Sequence, residues 1–188
     1  ACTAKGKDLR THFKNTFHEL HGMIWGIIGM GNIGRRVAQI ASCFGCHVIY
    51  YSTSGNNKNA GYECVSFDEL LERSDIVSVH APLNDNTRDL MDKNAFSKMK
   101  KSAVFINVGR GPIVVEQDLA DALNNGEIAA AGLDVLAKEP MSPDCPLRSI
   151  KDSNKLLITP HIAWAPVEAR KRLMDMVLEN IKDFYREV

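Results

Sequence analysis

Charge of one sign is what this chain of 188 residues lacks: 23 Lys plus Arg balance 23 Asp plus Glu. Without a basic excess there is no field to hold nucleic acid or an anionic membrane, so neither is expected as a partner. Long apolar runs are missing too. None approaches the roughly 18 to 20 residues that cross a bilayer. Residues 1–20 hold no apolar stretch of the kind a secretory signal needs. Cysteines number only five, an odd count at irregular spacing. A chain this long can build a core without staples, so a reducing, cytoplasmic compartment is expected. Cys43 and Cys46 spell C-x-x-C, but at the end of a helical pattern and with no second pair. The pair is therefore read as ordinary packing cysteines, and no metal site is expected.

What is present is a steady alternation of two periods. Short apolar runs at Ile24–Ile28, His47–Tyr51, Ile76–Val79, Ala103–Asn107, Ala129–Val135 and Leu156–Ile158 read as strands. Between them, 3.6-residue spacing predicts helices over Asn32–Phe44, Phe67–Arg73 capped by Ser66, Asp92–Met99, Glu116–Asn124 stopped by Gly126, and Val167–Tyr185. Ser52–Gly61 reads as a polar loop, and Pro140, Pro143 and Pro146 punctuate another. Strands apolar throughout, alternating with helices, predict an α/β fold: a doubly wound parallel sheet of Rossmann type, three layers deep, covered on both faces.

Gly29-Met30-Gly31-Asn32-Ile33-Gly34 is G-x-G-x-x-G, directly after a strand and opening a helix. Gly29 allows the tight turn, Gly31 lets backbone approach a pyrophosphate, and Gly34 lets helix and strand close up. The helix start then offers free N–H groups and a positive dipole end to the phosphates. A dinucleotide site of this kind expects an acidic residue about 20 residues on, holding the ribose 2′-hydroxyl. Ser52 stands there instead. It can hydrogen-bond a hydroxyl and does not repel a 2′-phosphate, while only Lys58 and the Asn-rich loop lie near enough to bind one. NAD is therefore the expected cofactor, with NADP admitted.

Three further segments end strands on the edge that holds the nucleotide: Asn107–Gly111 with Arg110, Gly132–Pro140 with Asp134 and Glu139, and Thr159–Pro166 with His161. Taken singly each has a bland reading. An Arg is more often a surface ion pair, an Asp a loop cap, a Glu a solvated charge and a His a structural residue. His12, His18, His21, His47 and His80 are read that way, as structural or exposed. Together, a permanent cation, two carboxylates and an imidazole at three strand ends are hard to obtain from packing alone.

These motifs, with His80-Ala81-Pro82-Leu83 between them, resemble the D-isomer-specific 2-hydroxyacid dehydrogenase family from about Leu20 to the C-terminus. Trp25–Gly29 and His161–Ala165 most resemble its glycerate dehydrogenase (hydroxypyruvate reductase) branch. Glu139 stands where the formate branch carries Gln. The resemblance implies that Arg110 pairs with the substrate carboxylate and polarises its keto oxygen. It makes His161 the acid–base, with Glu139 bonded to its other ring nitrogen and favouring the protonated ring. It places Asp134, Val108 and Gly109 at the nicotinamide end, Asn32 and Ile33 amides on the pyrophosphate, and Pro82 in the cofactor cleft. The substrate implied is a small 2-keto or 2-hydroxy acid, hydroxypyruvate or D-glycerate, and the assembly a homodimer. Val115 stands where Asp or Asn is common, with a structural effect expected.

Family members carry a second, substrate-binding domain that this chain largely lacks. Residues 1–20 then resemble a crossing segment between domains and 21–188 the NAD(P)-binding domain, so Ala1 is read as a cut in a longer protein. The chain alone is expected to bind NADH yet be nearly inactive. The alternative reading is a nucleotide-sensing interaction protein, as the corepressors of the same family are.

Overall fold

The computed structural model describes residues 18–56 and 61–186. Expectations that fall on Cys2, His12, Lys58 and most of residues 1–20 lie outside them. Seven strands form one sheet: β1 Ile24–Ile28, β2 His47–Tyr51, β3 Glu63–Cys64, β4 Ile76–Val79, β5 Val104–Asn107, β6 Ala130–Leu133 and β7 Leu156–Ile158. The order is β3-β2-β1-β4-β5-β6-β7. Every pairing is parallel. The chain runs outward from β1 through β2 to β3, then returns to lay β4 on the other side of β1. That reversal opens a crevice at the carboxyl ends of β1 and β4, where ligands of open α/β sheets bind.

Alternate residues of each strand serve opposite faces. Ile27 joins Met30, Ala38, Ala41, Val48 and Tyr50 beneath α1 (Asn32–Cys43). Ile28 joins Val77, Val79 and Phe105 beneath α2 (Phe67–Arg73), α3 (Lys93–Lys98) and α4 (Glu116–Asn125). Ser66 caps α2 by accepting the Glu69 N–H at 3.2 Å, and Asp92 caps α3 by accepting that of Ala95 at 2.8 Å. Val115, at the N-cap of α4, makes no side-chain cap bond, and Gly126 ends that helix at φ +70°.

Two features depart from the sequence reading. The two-residue strand β3 follows the polar loop, too short to give a period. The α1 face is covered only in part. Val104, Ile106, Ala130 and Gly132 are half-buried there and Leu157 is 67% exposed. The last helix, α5 (Val167–Arg186), runs out from the domain with no buried residue. Its apolar stripe shows in the sequence, and among the described residues nothing covers it.

The cysteine expectation also needs correcting. Cys46 and Cys145 are buried, whereas Cys43 and Cys64 are exposed, and all four are free thiols. Burial pushes the thiols of Cys46 and Cys145 up, and Cys46 donates to Leu20 O at 3.3 Å. Among the described residues no cluster of His, Cys, Asp or Glu could hold a metal ion, and no helix is long and apolar enough to cross a membrane.

Candidate active site and cofactor cleft

The glycine turn sits at the crevice mouth, and its three glycines are required for different reasons. Gly29 lies at φ +94°, and a Cβ there would stand 2.7 Å from Ala81 N. A Cβ on Gly34 would stand 2.2 Å from Gly29 O. Both are demanded by the protein's own packing. Gly31 is not: its φ is −80° and a Cβ would meet nothing within 4 Å. A bare backbone in open space, at the N-cap of a helix with no acidic residue in its first turn, fits a ligand that must approach closely. The amides of Asn32, Ile33 and Gly34 begin that helix, so the residues present fit a pyrophosphate. Gly29 N–H donates to Tyr51 O at 3.0 Å, which sets the end of β2 and Ser52 beside the turn.

Opposite the turn lies a cavity of about 430 Å³ lined by Ile33, His80, Pro82, Val108, Gly109 and Arg110. Five of these the sequence placed at the cofactor or the substrate; His80 it did not. Asn107, fully buried at the end of β5, knits the turn. Its Oδ1 accepts the Gly109 N–H and its Nδ2 donates to Arg110 O, both at 3.0 Å. Arg110 Nη1 donates to Gly109 O at 2.8 Å. His80 belongs to the interior. Burial pushes its imidazole down to about 4, its Nε2 lies 3.0 Å from Ser78 Oγ, and Trp25 Nε1 donates to the same oxygen at 2.8 Å. The His that opens the His80-Ala81-Pro82-Leu83 run gave no sign of this chain of contacts.

A second cavity, about 550 Å³, opens past β6 and β7 and is lined by Asp134, Leu136, Glu139, Met141, Ile158 and His161. His161 Nδ1 and Glu139 Oε2 are 2.8 Å apart, with side chains 39% and 38% exposed. That contact uses one ring nitrogen and leaves Nε2 for a ligand. Glu139 Oε1 accepts the Leu136 N–H at 2.9 Å. That bond and the contact with His161 hold the Glu139 carboxyl below its usual range.

His161 adopts the left-handed conformation, φ +53°, uncommon for a residue with a Cβ. The strain is held by Asp134, at the end of β6. Its Oδ1 accepts from Thr159 Oγ1 at 2.5 Å and Ile162 N at 2.9 Å, and its Oδ2 from Ala163 N at 2.9 Å. Burial alone would push the Asp134 carboxyl up, but these three donors outweigh it and hold it down. Asp134, expected at the nicotinamide end, lines the cavity and anchors the turn that carries His161. Thr159 was quoted in the sequence motif without a role; a hydroxyl two residues before a strained His was the available signal. The strand order sets Arg110, Asp134 and His161 in sequence along one sheet edge, past β5, β6 and β7.

Residues 3–163 match the family model described as "D-isomer specific 2-hydroxyacid dehydrogenase, NAD binding domain". A hydroxypyruvate reductase from Blautia hydrogenotrophica is 45% identical over 89% of this chain and 52% of its own length. A glyoxylate reductase from Aeropyrum pernix is 44% identical over 88% of this chain and 50% of its own. Among solved structures, the acyclic imino acid reductase Bsp5 in complex with NADPH and D-Arg superposes with a TM-score of 0.85. It is 34% identical, over 94% of this chain and 56% of that one. The chain thus spans about half the length of the relatives it matches.

Proposed function

Since the chain belongs to the D-isomer specific 2-hydroxyacid dehydrogenase family, we propose that it is the cofactor-binding part of an oxidoreductase. That enzyme moves a hydride between a nicotinamide dinucleotide and a small 2-keto or 2-hydroxy acid, with hydroxypyruvate and D-glycerate as the pair. The observation that carries the reading is the Glu139–His161 contact at 2.8 Å, facing a cavity on the sheet edge that also bears Arg110. The relatives are about twice as long as the stretch they share with this chain, which leaves room in such an enzyme for a separate substrate domain. NAD is the cofactor; NADP is admitted because Ser52 adds no negative charge beside the ribose. Two copies associate as a dimer, and the unpaired thiols suit the cytoplasm.

A nicotinamide dinucleotide held at the Gly29–Gly34 turn would supply the hydride that reduces C2 of the keto acid. Arg110 pairs its planar guanidinium with the substrate carboxylate and polarises the keto oxygen. His161 Nε2 gives its proton to that oxygen, so ketone, hydride and proton together make the alcohol. Glu139 holds the ring in orientation through Nδ1. Asp134 keeps the His161 turn in place and Asn107 the Arg110 turn. Oxidation runs the same steps backwards, with neutral His161 taking the hydroxyl proton.

The test is turnover by the full-length protein of hydroxypyruvate, glyoxylate and related 2-keto acids with NADH and NADPH. His161→Ala is expected to lower kcat by about 100- to 10,000-fold, the worth of a general acid, while cofactor affinity stays unchanged. Absence of turnover with every keto acid, alongside intact cofactor binding, would instead favour a nucleotide-sensing interaction protein.

A further inference from the structure

The stretch that presents Glu139 is held from outside itself, by the first residue of α4. Leu136 N–H is bonded by Glu139, and the next amide, Ala137 N–H, donates to Glu116 Oε1 at 2.7 Å. The other oxygen of Glu116 accepts from Cys145 Sγ at 3.4 Å, so one carboxylate ties together both ends of the loop that follows β6. The loop is also flush against the Arg110 turn. A Cβ on Gly111 would stand 1.9 Å from Leu136 C and O and 2.4 Å from Ala137 N. Glu116 follows that turn after five residues. A single short connection therefore carries Arg110, the Gly111 contact and the carboxylate that fixes the Glu139 loop.

We propose that Glu116 is a positioning residue for the acid–base pair: by accepting the Ala137 N–H it fixes the Leu136–Glu139 turn and so sets Glu139 against His161. This rests on the reading of Glu139 and His161 as that pair. The Asp134 carboxylate repels that of Glu139, an effect outweighed by the Leu136 N–H and the His161 contact that hold Glu139 low. A Glu139 that drifts from the ring leaves Nδ1 without that contact, and the Asp134 carboxylate is already committed to Thr159, Ile162 and Ala163. A bland alternative exists: an acidic residue in the first turn of a helix stabilises it through the helix dipole.

Two variants of the full-length protein separate these. Glu116→Asp keeps the charge at the helix start but draws the acceptor back by one methylene. Glu116→Gln removes the charge but keeps an acceptor oxygen in reach of Ala137. The positioning role predicts that Glu116→Asp loses about tenfold in kcat, the worth of one such hydrogen bond, with cofactor affinity unchanged. In the reductive direction the alkaline limb of its pH–rate profile moves to lower pH, and the Ala137 amide exchanges faster with deuterium. Glu116→Gln stays close to the parent protein in all three. The reverse pattern, Glu116→Gln impaired and Glu116→Asp intact, overturns the proposal, as does an unaltered pH profile in both. His161→Ala run in parallel keeps the two readings apart. If it retains turnover, the acid–base assignment itself has failed; if it is inactive while Glu116→Asp behaves like the parent, only the role of Glu116 has.

Discussion

The three glycines of the nucleotide turn show how residues of one type serve different masters. Gly34 answers to a carbonyl of its own chain, and Gly31 answers to nothing in the protein. Gly34→Ala is therefore expected to destabilise the fold by about 1–3 kcal/mol, the usual cost of forcing an atom into a filled space. Gly31→Val should leave the melting temperature nearly unaltered and weaken NADH binding by tenfold or more, roughly the loss of one good phosphate contact. Paired melts and NADH titrations on the full-length variants check both. A Gly31→Val protein that binds NADH as before would mean that the open space above Gly31 is not the pyrophosphate site.

At the scale of elements, caps separate what was legible in the sequence from what was not. Ser66 is the cap the sequence predicts, whereas Asp92, read there as the first helical residue, is the cap of α3; both accept from the third residue of their helices. The strands were equally plain, because apolar runs bounded by glycine and polar residues leave little choice. Strand β3 was not, since two exposed residues on a sheet border carry no period. The site divided in the same manner. Arg110, Glu139 and His161 stand in motifs and could be named. The work of Asn107, Thr159 and Glu116 depends on which amide or carboxylate comes within reach after folding, and spacing along the chain does not encode that. Helix α4 offers a direct trial of capping. Val115 occupies its N-cap with extended backbone, φ −79° and ψ 100°, yet has no acceptor. Val115→Ser should raise stability by about 0.5–1 kcal/mol, measured as a denaturation midpoint shifted at unaltered slope. No gain would indicate that the half-buried Val115 side chain contributes as much by packing as a cap would.

Across the whole molecule, pH acts on buried His80 and on carboxylates held low, in adjoining windows. His80 is held neutral by burial down to about pH 4, while in the unfolded chain it takes a proton near ~6.5. Below ~6.5 the unfolded state binds more protons, so stability present at neutral pH declines as pH falls from there to about 4. The shift corresponds to a loss on the order of 3 kcal/mol. Asp134 and Glu139 are both held low, so their contributions persist above the ordinary carboxylate range and disappear as pH falls through their lowered values. Denaturation midpoints should therefore fall in two steps, and His80→Asn should flatten the upper one. A midpoint that still declines equally from pH 7 to 4.5 in that variant would assign the step to another group.

The two outermost strands have a further consequence. One end of the sheet finishes in the two residues of β3, where Glu63 is tied to Arg73 at 2.8 Å. The other finishes in the three residues of β7, followed at the second position by Pro160, which has no N–H to give. A pairing template of ordinary size runs to about five or six residues. Neither margin can recruit a foreign strand for long, so the seven-stranded sheet is closed to growth by addition. Among the described residues, the apolar surface left open lies on the half-covered sheet face and the outlying helix, where side chains rather than backbone amides are presented.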